Sequence, residues 1–175
     1  MIVFRHADTR VPFLWERDEQ PAARWHGRGE GPVAYLAETP DGAWAEFLRH
    51  EEITEPEDLE GIARALWAVE LAETPGVEPE LPVSTLTGDW STWEDCQVEA
   101  RRLRERGAVG LSARSAALLP ETASGFRTDD GLQPGPSRSE RVFVLFGPRP
   151  DLVGWSACAE GRPRADLLPR IRHLG

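Results

Sequence analysis

The sequence predicts an α+β fold: twisted antiparallel or mixed sheet with flanking helices. Three observations point there. Brief apolar runs alternate with period two, as in PVAYLA at 32–37 and RVFVLF at 141–146. Helix start signals are scattered irregularly among them. The one glycine-rich run, GRGEG at 27–31, precedes a strand instead of joining strand to helix, so the dinucleotide spacing of a doubly wound fold is missing.

Taken in order, MIVFRHA reads as a first strand carrying Arg5. Residues 8–31 are charged and broken by Pro12, Pro21 and several glycines, a long excursion ending at Arg24-Trp25. In the next strand Val33, Tyr35 and Ala37 share one face, Ala34 and Leu36 the other. Thr39 can cap a helix and Pro40 suits its first position, where the missing amide proton costs nothing. Ala43, Trp44, Phe47 and Leu48 form that helix's apolar stripe, with Glu46 at its edge and Gly42 a local weakness.

Thr54 with Glu57 three residues later, around Pro56, predicts a second helix running through Leu59, Ile62, Ala63 and Leu66. LWAVEL alternates like a strand and ETPGVEPELP is a turn-rich loop. DWSTWEDCQVEARRLRERG is the clearest helix, with Ser91 and Glu94 as a capping box, Trp93, Cys96, Gln97, Ala100 and Leu103 inward, and arginines at its C-terminal end, where they complement the helix dipole. AVGLSARSAALLP reads as strand, turn and apolar restart, with Ser112 and Ser115 at the strand exit. Residues 121–139 read as a flexible loop, followed by two late strands and a short last element. One domain is expected over residues 1–175.

The formal charge of −10 argues against nucleic acid and anionic lipid as direct partners. All twenty basic residues are arginine, so no lysine offers a Schiff base or a P-loop amine. Cys96 and Cys158 read as buried free thiols. Four scattered histidines give no metal set, and Ser112 and Ser115 lack a nucleophile-elbow context. No apolar run fits a secretion signal or a membrane span, which makes a cytoplasmic location the default.

The candidate chemistry gathers near the N-terminus. Arg5 and Arg24, set among apolar neighbours, either pair with internal carboxylates or converge on an anion such as a pyrophosphate. Tyr35 is either a core aromatic or one wall for a flat heterocycle. Glu46, on the border of an apolar helix face, is paired, hydrated or used. Used together, these groups suit cleavage of the nicotinamide–ribose bond of NAD: a fixed carboxylate stabilises the positive charge that develops on the sugar, arginines hold the diphosphate, and a serine hydroxyl binds a ribose or amide group.

Phe4-Arg5, RWHGRGEGPVAYLAETPDGAWAEFLRH from Arg24, GDWSTWEDCQVEARRLRERG and AVGLSARSAAL around Ser115 together resemble the RES-domain family, toxin components of bacterial RES–Xre toxin–antitoxin systems. The resemblance covers most of residues 1–147. It implies an ADP-ribosyltransferase-like fold and NAD as substrate without a metal. It also implies an Xre-like antitoxin as partner, while a homo-oligomer stays open. It places catalytic roles on Glu46, Tyr35 and Arg24, and NAD binding on Arg5, Arg24, Tyr35 and Ser115. Water or phosphate is the expected acceptor, with transfer of ADP-ribose to a protein and an inactive antitoxin-binding domain as alternatives. The chain departs from the family pattern at Ala22-Ala23, where a glycine pair is common, at His26, where asparagine is, and at Arg114, where proline is.

Overall fold

The computed structural model describes residues 1–14, 16 and 19–174. Eight strands and three α-helices are formed by them: β1 (Ile2–Asp8), β2 (Val33–Ala37), α1 (Pro40–His50), β3 (Arg64–Glu70), α2 (Val83–Thr87), α3 (Trp93–Glu105), β4 (Gly110–Arg114), β5 (Phe126–Thr128), β6 (Leu132–Pro134), β7 (Arg141–Phe146) and β8 (Val153–Gly161). Six strands make one sheet in the order β4-β7-β2-β1-β3-β8, and every neighbouring pair is antiparallel. The expected α+β class holds.

The sheet has an uneven seam. β1 pairs with β3 along seven positions, from Ile2↔Glu70 to Asp8↔Arg64, and β2 pairs with β7 along five, from Val33↔Phe146 to Ala37↔Val142. Between β1 and β2 the register holds a single pair, Phe4↔Ala37. The two strands therefore part on the Arg5 and Tyr35 side of that pair, and backbone groups left there need other partners. Arg5 supplies one, its Nη1 donating to the Tyr35 carbonyl at 2.9 Å.

Alternation sorts the core. Ala34 and Leu36 pack with Val3, Val69, Phe143 and Leu145 in one cluster, edged by Phe13 and Leu14 of the excursion. Val33 and Tyr35 join the α3 side chains Cys96, Ala100 and Leu103, while Ala37 joins Trp44, Phe47 and Leu48 of α1. The apolar stripes of both long helices are thus buried against the sheet.

Thr39 caps α1 as its sequence predicts: its Oγ1 accepts from the Gly42 amide at 3.0 Å, and Pro40 occupies the first turn. Gly42 is no simple weakness, because a Cβ there would run into the carboxylate of buried Glu140. That carboxylate accepts from the Thr39 amide at 2.9 Å and from Thr39 Oγ1 at 2.8 Å. Burial, followed by the Glu38 charge, raises the Glu140 carboxyl to about 7 despite both bonds. Helix α3 closes on Gly107 (φ 86°), with the Ala108 amide reaching back to the Leu103 carbonyl.

Three local expectations differ from the structure. The second helix is only a 3₁₀ turn at Pro56–Leu59 that Thr54 does not cap, and Leu66 lies on β3, where pairing with β1 and β8 outweighs the helical spacing. Ser91 does not cap α3: Asp89 caps a 3₁₀ turn, Trp90–Thr92, its Oδ1 accepting from the Ser91 amide and hydroxyl, and α3 starts after it. Cys158 is half-exposed on β8; only Cys96 is buried. Within the 121–139 segment the exposed strands β5 and β6 pair as a hairpin.

Candidate active site

A cavity of about 340 Å³ opens where β1 and β2 part. Arg5 and His6 of β1, Arg24 of the excursion, Tyr35 of β2, and Glu46, Arg49 and His50 of α1 all line it. Trp90 bounds it from the turn before α3, Trp93 from the first residue of α3, and Leu174 from the C-terminal end. The first and second strands and the helix after them converge here because α1 follows β2 through only Glu38 and Thr39 and packs across β1.

Glu46 is the only acidic residue lining the cavity among the described residues. Its Oε1 accepts from the Ser115 hydroxyl at 2.9 Å. Ser115, 4% exposed, does not line the cavity itself. Its Oγ also accepts from the Ala117 and Leu118 amides at 3.1 and 3.2 Å, the turn-forming habit of serine at a strand exit. With its single proton given to Glu46, Ser115 holds the carboxylate and has no donor left for a ligand.

The guanidiniums form a chain bridged by carbonyls. Arg24, 9% exposed, donates to the Thr85 carbonyl and Thr92 Oγ1, both at 3.1 Å, and to the Gly88 carbonyl at 2.6 Å. Arg49, 5% exposed, donates to the same Gly88 carbonyl and to those of Thr87 and Ala116. Arg172 donates to the Ala116 carbonyl as well, at 2.9 Å. Among the described residues none of Arg5, Arg24, Arg49 and Arg172 forms a salt bridge. The internal-carboxylate reading of Arg5 and Arg24 finds no partner among them. Burial, then Arg24, lowers Arg49 to about 10, and burial lowers Arg5; Arg49 stays charged at neutral pH. An otherwise acidic chain thus keeps a concentrated positive charge beside one carboxylate.

Tyr35 gives the cavity its ring, not its hydroxyl. The hydroxyl accepts from the Trp25 amide at 3.1 Å and lies 2.9 Å from His26 Nδ1. Since the Trp25 proton already points at the oxygen, the phenol proton goes to His26. Burial raises the Tyr35 phenol well above its usual range and lowers His26, so both are neutral. His26 is therefore a structural partner of Tyr35, a role its unusual identity at that position did not reveal.

Sequence reasoning missed Arg49, Trp90 and the approach of the C-terminal residues. Arg49 in a last helical turn has the ordinary reading of a dipole-complementing charge. His6 also lines the cavity; burial and then the nearby Arg64 push it down to about 3, and Arg64 Nε donates to its Nδ1 at 3.1 Å. It is a neutral wall. No group of three or more metal-ligating side chains stands together among the described residues. No helix among them is long and apolar enough to cross a membrane.

A solved structure, the crystal structure of the M. tuberculosis MbcT–MbcA toxin–antitoxin complex, has a chain that superposes with a TM-score of 0.62 at 14% identity, covering 98% of this chain and 88% of that one. At that identity the likeness is one of fold. No curated protein matches the sequence. The RES domain family model matches residues 3–129, a span that holds β1 except Ile2, β2, α1 and Ser115 together with Arg5, Arg24 and Arg49, while Arg172 lies beyond it. The chain belongs to the RES domain family.

Proposed function

We propose that the protein is an NAD-degrading enzyme that cleaves the nicotinamide–ribose bond, and that it acts as the toxin of a toxin–antitoxin pair. One observation carries the reading. Among the described residues, three guanidiniums without carboxylate partners, those of Arg5, Arg24 and Arg49, line a cavity whose only acidic lining residue is Glu46, and a fourth, Arg172, meets Arg49 at the Ala116 carbonyl. A multiply charged anion at the arginines would answer that imbalance, and a diphosphate offers oxygens to several forks at once. The lone carboxylate then faces the sugar carbon on which positive charge develops as nicotinamide leaves. Nicotinamide departs as a neutral base and needs no proton from a second acid, which fits a site with one carboxylate.

Family membership supports NAD as substrate, and the fold shared with a toxin solved in complex with its antitoxin supports an antitoxin as partner. The test is product analysis of purified protein with NAD, with and without inorganic phosphate. ADP-ribose identifies water as acceptor and ADP-ribose-1''-phosphate identifies phosphate. Intact NAD after prolonged incubation overturns the proposal.

A further inference from the structure

Trp90 is 44% exposed and lines the same cavity as Arg24, Glu46 and Arg49. Exposure alone does not single it out, since Trp155 is 59% exposed; its neighbours do. It is held in place: its ring centroid lies 4.4 Å from that of Trp93 and 6.1 Å from that of His50, both tilted contacts, and all three residues line the cavity. Trp93 adds an unanswered donor, for its buried Nε1 has no hydrogen-bond partner among the described residues.

The placement of this cluster along the site is fixed by two links. His50 stands one helical turn beyond Glu46 on α1. Gly88, whose carbonyl takes donors from both Arg24 and Arg49, is two residues before Trp90. The aromatic rim thus adjoins the guanidiniums. A cavity of about 340 Å³ lies at the small end of the ~300–1,000 Å³ usual for ligand sites, so an extended ligand runs out over its rim.

We infer that Trp90, Trp93 and His50 form a stacking platform for the second base of the substrate, a purine. With the reacting ribose at Glu46 and the diphosphate at the arginines, the remaining nucleoside crosses the rim and lays its base on the Trp90 indole. Alanine substitution of a stacked aromatic weakens base binding roughly fivefold to a hundredfold, enough to select a dinucleotide over its nicotinamide half.

This inference rests on the cavity being a dinucleotide site, and calorimetry with three probes separates the two. AMP, ADP-ribose and nicotinamide mononucleotide are titrated into the full chain and into Trp90→Ala and Trp90→Phe variants whose melting is checked. The expected result is roughly tenfold weaker binding of AMP and ADP-ribose by Trp90→Ala, unchanged binding of nicotinamide mononucleotide, and recovery in Trp90→Phe. Equal binding of AMP and ADP-ribose by all three proteins, or equal weakening of all three probes, overturns the platform while leaving NAD cleavage intact. Binding of AMP that depends on Trp90, with no turnover of NAD, supports the platform and counts against the enzyme. Absence of binding by every probe to the unaltered protein overturns both.

Discussion

Ser115 Oγ lies 2.9 Å from Glu46 Oε1, and the two residues come from elements far apart in the chain: one from the exit of β4, the other from the middle of α1. A hydroxyl that also accepts two backbone amides cannot swing away, so it fixes one oxygen of a carboxylate that lines the cavity. Ser115→Ala is expected to lower kcat about tenfold to a hundredfold, the value of a hydrogen bond to a charged group at about 1.5–3 kcal/mol, with little change in KM for NAD. Steady-state kinetics of nicotinamide release check this; a raised KM with unchanged kcat would make Ser115 a ligand contact instead.

Glu46→Gln keeps the shape and the Ser115 bond but removes the negative charge. Nicotinamide release should fall by roughly a hundredfold to a thousandfold, the scale on which a single electrostatic stabiliser acts, while melting stays close to that of the unaltered protein. Undiminished release would remove Glu46 from the chemistry.

Arg24→Gln should weaken ADP-ribose binding about tenfold or more in calorimetry. It should also loosen the turn around Gly88, since Arg24 donates to three groups there. Arg24→Lys keeps the charge but not the fork and is expected to recover little affinity. Full recovery by lysine would mean that charge alone is read.

Gly42→Ala raises helix propensity by about 1 kcal/mol, yet it is expected to destabilise by about 1–3 kcal/mol because the methyl group meets Glu140. Urea unfolding measures the sign directly. A stabilised variant would show that Glu140 moves aside at no cost.

The Glu140 carboxyl, raised by burial to about 7 from a normal value of 4.5, makes stability fall with pH over that interval, because the folded state holds a proton that the unfolded state has released. The stabilisation is complete below about 4.5 and lost by the time pH passes 7. Relative to Glu140→Gln, which cannot titrate, the unaltered protein should lose about 2.5 kcal/mol between about pH 5 and about pH 8, the larger part of the change set by about 1.36 kcal/mol for each pH unit separating the folded and unfolded values. Parallel unfolding curves across that range would contradict a buried, proton-holding Glu140.

The parts of the site legible in the sequence are those set by local rules. Period-two alternation places Tyr35, and the Thr39-Pro40 start signal sets the phase of α1 and hence the position of Glu46. Arg5 and Arg24 are visible as charges among apolar neighbours. What stays hidden depends on distant strands. Leu66 lies at helical spacing but is captured by β1 and β8 pairing, and Arg49 looks like any basic residue in a final helical turn until the carbonyls of Thr87, Gly88 and Ala116 close around it. Trp90 reads as an ordinary residue before a helix, and Arg172 reaches Ala116 across 56 positions of sequence.

The single paired position between β1 and β2 has a mechanical meaning. The sheet consists of two plates joined by one rivet, Phe4 to Ala37, with the Arg5 bond to Tyr35 as a brace. A molecule seated in the parting spans both plates, so occupancy works as a cross-link: amide exchange along β1 and β2 should slow together when the cleft is filled, far more than exchange along the continuous β1–β3 ladder.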